Sequence, residues 1–168
     1  MTWVSTRIAD RHQLDEFDCG VDSLNRWLVE TARRADRQDT ARTYVWTAEN
    51  NDRVVAYFSI TPTQLNRRDD GLSRSASGGL DRVPAFLIAK LAVDLSIASR
   101  GNGRQLVLDA ISRIIVAADQ SGGRMIVVDA IDDRAAAFYT KLDFVAVRDN
   151  PHRLYMKVAT ARRALGIG

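Results

Sequence analysis

The sequence predicts an α/β fold with a mixed central sheet and helices on both faces. Three observations lead there. The segments read in the order β-α-β-β-β-α-β-α-β-β. The apolar run Phe86-Leu87-Ile88-Ala89-Lys90-Leu91-Ala92-Val93-Asp94 is a buried strand that passes through a glycine-bearing turn into an amphipathic helix. With 168 residues and 46% hydrophobic side chains, the chain has enough apolar surface to bury one core, so residues 1–168 are expected to form a single domain with a short tail at 159–168.

Thr2 to Ala9 alternates as a first strand, with Trp3 as a core or interface residue. Asp22 or Ser23 caps a helix whose apolar stripe is Leu24, Trp27, Leu28, Ala32 and Ala35. Its other face carries Arg26, Arg33, Arg34 and Arg37, which have two readings. One is a solvated face partly neutralised by Glu30, Asp36 and Asp39; the other is a surface for a phosphate backbone. Thr43 to Thr47 and Arg53 to Thr63 are consecutive strands across the turn Glu49-Asn50-Asn51-Asp52. Leu65 to Pro84 is rich in Gly, Ser, Arg and Asp and has no period, so it reads as a mobile loop, either a flap over a substrate or a tolerated insertion.

The central turn is Ala98-Ser99-Arg100-Gly101-Asn102-Gly103-Arg104. From Gly103 on, Val107, Ile111, Ile114, Ile115 and Ala118 recur at helical spacing, so a helix starts at the turn. A helix start leaves backbone N–H groups without intrahelical partners and carries partial positive charge, which favours anions. Gly101 and Gly103 are expected at positive φ, and Asn102 tolerates the left-handed region, so the turn can form a nest of N–H donors with Arg100 and Arg104 at its mouth. A G-x-G turn alone marks only a strand-to-helix junction.

Further on, Arg124 to Ala130 is a buried strand and Asp133 to Lys141 a helix. Phe144 to Arg148 and Arg153 to Val158 are the last strands, across the turn Asp149-Asn150-Pro151-His152. Ala159 to Gly168 is disordered or helical.

The run L-A-V-D followed by S-R-G-N-G-R-Q-L resembles the acetyl-coenzyme A pyrophosphate motif of GNAT-type N-acetyltransferases, Q/R-x-x-G-x-G/A, with Ala98 at the first position. Asp132-Asp133-Arg134-Ala135-Ala136-Ala137-Phe138-Tyr139, then Leu142-Asp143-Phe144, resembles that family's N-x-R-A-x-x-F-Y…L-G-F, with Asp132 for Asn and Asp143 for Gly. The earlier run F-x-C-G-x-x-x-L-x-x-W-L, from Phe17 to Leu28, followed by Ala41-Arg42-Thr43-Tyr44-Val45, is similar to the GNAT toxins of bacterial toxin–antitoxin modules. The resemblance runs from about Phe17 to Lys157.

It implies a GNAT acyltransferase fold and acetyl-CoA as cofactor. Backbone groups at Leu91, Ala92 and Val93 would pair with the pantetheine, and Ser99, Arg100, Gly101, Asn102, Gly103 and Arg104 would hold the pyrophosphate. Asp132 and Phe138 belong to the same cofactor-binding set, and Tyr139 matches the tyrosine that acts as general acid. The implied substrate is the α-amine of aminoacyl-tRNA, with Arg33, Arg34, Arg37 and Arg42 as tRNA-binding candidates. The implied partners are a small DNA-binding antitoxin and a second copy of the toxin in a homodimer.

Composition narrows the alternatives. The net charge of +3 modestly favours polyanionic partners, and the cations are nearly all arginine, since Lys90, Lys141 and Lys157 are the only lysines. Cys19 has no partner for an internal disulfide and reads as a small buried hydrophobe. His12 and His152 offer no spaced metal set. The longest apolar run, around Val83 to Val93, is too short to span a bilayer and is interrupted by Lys90, and Met1 to Arg7 lacks a signal-peptide pattern. The expectation is a cytoplasmic protein without metal or membrane contact.

No glutamate stands out as a general base. An α-amine with pKa about 8 is roughly a tenth free base at pH 7, whereas a lysine near 10.4 is under about a thousandth free. A site without an evident base therefore suits an α-amine. Two further readings stand beside the toxin: a GNAT enzyme acetylating a small amine, peptide or protein N-terminus, and an inactive CoA-binding module.

Overall fold

The computed structural model describes residues 2–167. Its strands are β1 (Val4–Arg7), β2 (Arg42–Thr47), β3 (Ala56–Asn66), β4 (Arg82–Val93), β5 (Met125–Asp129), β6 (Val145–Val147) and β7 (Asn150–Lys157). They form a mixed seven-stranded sheet in the order β1-β2-β3-β4-β5-β7-β6, with β4 and β5 parallel. The helices are α1 (Asp22–Glu30), α2 (Ala32–Arg37), α3 (Arg74–Ser77), α4 (Asn102–Ser121), α5 (Asp133–Lys141) and α6 (Val158–Ala164). No helix among the described residues is long and apolar enough to cross a membrane.

Backbone contacts group the chain into two compact units, Met1–Thr61 with Ala89–Ala110, and Pro62–Ile88 with Ile111–Gly168. In the first, β1, β2 and β3 form an antiparallel meander with registers Val4↔Thr47 and Tyr44↔Phe58. Adjacent strand residues point to opposite faces. Val45 and Tyr57 pack with Leu28, Ala32, Ile8 and Ala92, so α1 and α2 cover one face. The next residue, Trp46, sends Nε1 the other way to Asp109 Oδ2 of α4 at 2.8 Å, where Ser5 Oγ also donates at 2.6 Å. This unit thus carries helices on both faces.

The expected single helix after Asp22 is two. Thr31 leaves the helical region at φ −124°, although Thr31 and Ala35 N–H groups keep the i−4 bonds running through the break. Neither Asp22 nor Ser23 caps α1: the N-cap is Val21, without a side-chain bond. Strand β3 also starts later than Arg53, because Arg53 bridges to Gln13.

In the second unit, β4 pairs with β5 from Ala85↔Met125 to Ile88↔Val128, and β7 pairs antiparallel with both β5 and β6. Segment 65–84, expected to be a mobile loop, is ordered: β3 extends into it, α3 forms within it, and β4 begins there. Leu65, Leu72, Ala76 and Val83 are buried against Met125 and Val127. Arg124 fixes α3 by donating from Nε to Ala76 O at 2.9 Å and from Nη2 to Ser75 O at 3.1 Å. Most of the tail is the helix α6.

Candidate active site

The chemistry-bearing residues of the first unit gather where β4 ends. Ala92 is buried in the core beside Tyr57, so the alternation turns Leu91 and Val93 to the opposite face. Leu91, Ala92 and Val93 lie beyond the last β4–β5 pair, Ile88↔Val128.

Asp94 follows as a buried carboxylate. Its Oδ2 accepts the Asp18 N–H and its Oδ1 the Ser96 N–H, each at 2.9 Å. Burial opposes its charge, but the N–H groups of Asp18 and Ser96, with Arg53 nearby, outweigh that and hold the carboxyl below its ordinary range. Leu95 N–H returns a bond to Asp18 O at 2.9 Å. Asp18 Oδ1 also accepts from Gly20 N and Asn25 Nδ2. The F-x-C-G run is therefore a brace for the exit of β4. Its sequence signal was the acidic residue at the end of L-A-V-D, to which no role had been assigned.

The turn itself departs from the expectation at one residue. Positive φ falls on Ser99 (64°) and Gly101 (76°), while Gly103 is the second residue of α4. The helix begins at Asn102, so the chain must complete its left-handed step by Gly101. Asn102 serves as a staple: Nδ2 donates to Ile97 O at 2.8 Å and Oδ1 accepts from Trp3 Nε1 at 3.3 Å. A Cβ at Gly101 would meet nothing within 4 Å. Open space over a left-handed turn, the N-terminus of a 20-residue helix, and exposed Arg100 and Arg104 fit a pyrophosphate.

The four arginine candidates divide. Arg33 is half-buried, and its Nη2 donates to the carbonyls of Ala9, Asp10 and His12. Arg42 donates to Asp36 O at 2.7 Å and to Asp39 Oδ1 at 2.6 Å. Arg34 and Arg37 are exposed on α2. Cys19 is half-buried, and burial pushes its thiol up, away from nucleophilic character.

In the second unit, Asp132 is the N-cap of α5, its Oδ1 accepting from Ala135 N at 2.8 Å. Tyr139 is buried with edge-on contacts to Phe138 and Phe144, at centroid distances of 5.3 and 5.6 Å. Burial pushes its hydroxyl up to about 12, so it holds its proton across the physiological range. Helix α5 ends in a Schellman arrangement: Phe144 N–H reaches Tyr139 O, Asp143 N–H reaches Thr140 O, and Asp143 sits at φ 71°. The motif F-Y…L-G-F is thus the chemistry of that helix end, and it fixes the Tyr139 ring against Phe144.

A family model described as Acetyltransferase (GNAT) family matches residues 9–144. The chain is 33% identical over 160 residues to the tRNA-acetylating toxin of Mycobacterium tuberculosis (strain ATCC 25618 / H37Rv), covering 95% of each. Its fold matches a solved mutant of KacT with a TM-score of 0.90 at 22% identity, covering 98% and 99% of the two chains. AtaT complexed with acetyl-methionyl-tRNAfMet matches with a TM-score of 0.88 at 22% identity, over 98% and 99%. AtaT bound to the C-terminus of the antitoxin AtaR matches at 0.83 and 22%, over 96% and 97%. From the strand end and helix start to the capped α5, the chain belongs to the acetyltransferase (GNAT) family.

Proposed function

We propose that this chain works as one acetyltransferase domain that moves an acetyl group from acetyl-CoA to the α-amine of aminoacyl-tRNA, blocking translation as a toxin. The observation that carries this is the 33% identity, over 95% of both chains, to a protein named tRNA-acetylating toxin. The same reading supplies a small DNA-binding antitoxin, a homodimer and a cytoplasmic setting, where charged tRNA is found; the AtaT–AtaR complex supports the antitoxin.

Acetyl-CoA supplies the activated acetyl thioester. Backbone groups of Leu91, Ala92 and Val93, free of the β4–β5 ladder, pair with its pantetheine in this reading. Ser99, Arg100, Gly101 and the first turn of α4, including Asn102, Gly103 and Arg104, take the pyrophosphate through N–H groups and guanidinium charge. Asp132 and Phe138 are assigned to the coenzyme through α5. Tyr139 donates its hydroxyl proton to the departing thiolate, a role its retained proton suits. Arg34 and Arg37 face the tRNA backbone, while Arg33 and Arg42 hold the helix that presents them.

The substrate follows from what the chain does not supply. Its three glutamates, Glu16, Glu30 and Glu49, are all exposed. An amine that is already partly free base at neutral pH needs no strong base, which favours an α-amine over a lysine side chain.

The test is to incubate the protein with labelled acetyl-CoA and total charged tRNA, then analyse the aminoacyl groups by mass. Acetylated aminoacyl-tRNA is the expected product. Transfer to small amines or peptides but not to charged tRNA would replace the toxin reading with a small-amine enzyme, and no transfer to any amine would replace it with a coenzyme-binding module.

A further inference from the structure

Behind the coenzyme turn, within the first unit, lies a second cleft of about 520 Å³. Its walls are Trp3, the end of β2 and the following turn at Ala48 and Asn51, Arg53 and Val55 before β3, and Ile97 and Arg100 before α4. Two guanidinium groups line it, and no acidic side chain is among its described lining residues. Arg53 has a buried Nε without a hydrogen-bond partner, and its ion pair is a loose one, 3.4 Å from the exposed Glu16. The indole of Trp3 is held by Asn102 Oδ1, so the aromatic wall is tied to the first residue of α4.

The chemistry of these walls is specific. Paired guanidiniums without a neutralising carboxylate select an anion, and their planar forks suit phosphate. A fixed indole beside Val55 and Ile97 offers a flat apolar surface on which a base can stack. The volume is within the range of small-ligand sites. We propose that this cleft binds one unpaired nucleotide, with its phosphate on Arg53 and Arg100 and its base against Trp3. This deepens the acetyltransferase reading, because Arg100 belongs to both the cleft and the coenzyme turn. Two sources share the chemistry: the nucleotide end of the coenzyme and the single-stranded end of the RNA.

Calorimetric titration of the full chain with adenosine 3′,5′-bisphosphate and, separately, with the RNA trinucleotide CCA tests the inference. Arg53→Gln removes a phosphate partner, Ala48→Phe fills the cleft without touching either arginine, and Glu16→Gln removes the ion pair while leaving the cleft intact. At least one probe should bind the wild type and lose roughly tenfold in affinity in Arg53→Gln and Ala48→Phe, with Glu16→Gln unchanged. Loss confined to the bisphosphate assigns the cleft to the coenzyme end; loss of the trinucleotide assigns it to the RNA. Absence of binding by either probe to the wild type, or unchanged affinity in both cleft variants, overturns the proposal. Neither probe carries a thioester or an amine, so the titration is independent of acetyl transfer. A chain that acetylates charged tRNA but binds neither probe loses the cleft and keeps the function, and the converse result does the reverse.

Discussion

Asp94 Oδ2 accepts the backbone N–H of Asp18 at 2.9 Å, and the next residue, Leu95, returns its own N–H to Asp18 O at the same distance. This pair fixes the point where β4 hands over to the coenzyme turn. In Asp94→Asn one carboxylate oxygen becomes an amide that cannot accept, leaving one buried N–H unsatisfied, at a cost of about 1–3 kcal/mol. The folded carboxyl is held below its ordinary range. Its contribution is therefore full above the unfolded value near about pH 4 and is lost as pH falls through the lower folded value. Urea unfolding should show the variant less stable at pH 7, with the gap closing as pH falls below about 4. Equal stability at neutral pH would remove Asp94 from this role.

The arginines of the α2 region separate structure from substrate. Arg33→Ala removes the donor to three carbonyls, one at 2.6 Å, and should lower the melting temperature. Arg34→Ala and Arg37→Ala should leave it in place while raising KM for charged tRNA and reducing the salt slope of binding by about one per lost phosphate contact. A tRNA affinity indifferent to both exposed positions would move the RNA surface elsewhere.

The element order was legible because hydrophobic period survives in the chain, and Asp133 to Lys141 was read to the residue because its cap, Asp132, is local. What was not legible depends on distant partners. The break at Thr31 is one residue's backbone departure inside an unbroken apolar stripe. The order of segment 65–84 rests on Arg124, whose Nε bonds a carbonyl 48 residues away. At the site, the glycines announced the turn, but the left-handed positions went to Ser99 and Gly101 once the helix started at Asn102.

That dependence on Arg124 is measurable. Arg124→Ala leaves the carbonyls of Ser75 and Ala76 without their donor, so α3 should loosen while the sheet persists. Limited proteolysis should then cut within residues 67–81, and hydrogen exchange there should quicken by tenfold or more for each roughly 1.4 kcal/mol lost. A wild-type cleavage pattern would mean that Leu72 and Ala76 hold the segment by packing alone.

Tyr139→Phe keeps both aromatic contacts and removes the proton donor. The rate should fall by about 10²–10⁴ with the melting temperature nearly unchanged. With the hydroxyl pushed up to about 12, the wild-type activity should show no loss of the acid near pH 10. The linkage has a definite sign: between about 10 and 12 the unfolded tyrosine releases its proton while the folded one keeps it, so stability falls over that interval. The phenylalanine variant lacks that component. Full activity in Tyr139→Phe would assign the acid to another group.

Asp143 stands where the family pattern has glycine, and the structure shows what the departure costs. At φ 71° it is the left-handed residue of the Schellman arrangement that closes α5, with Phe144 N–H on Tyr139 O and the two rings 5.6 Å apart. Left-handed backbone costs an L-residue roughly 1–2 kcal/mol, less for Asp, and nothing sterically for glycine. Asp143→Gly should therefore raise stability by up to about 1 kcal/mol, the gain being reduced by glycine's greater freedom in the unfolded chain. Thermal unfolding reads this directly, and acetyl transfer should be preserved because the Tyr139 carbonyl keeps its donor. A clear loss of stability would mean that the Asp143 carboxylate contributes more to the helix end than its backbone strain removes.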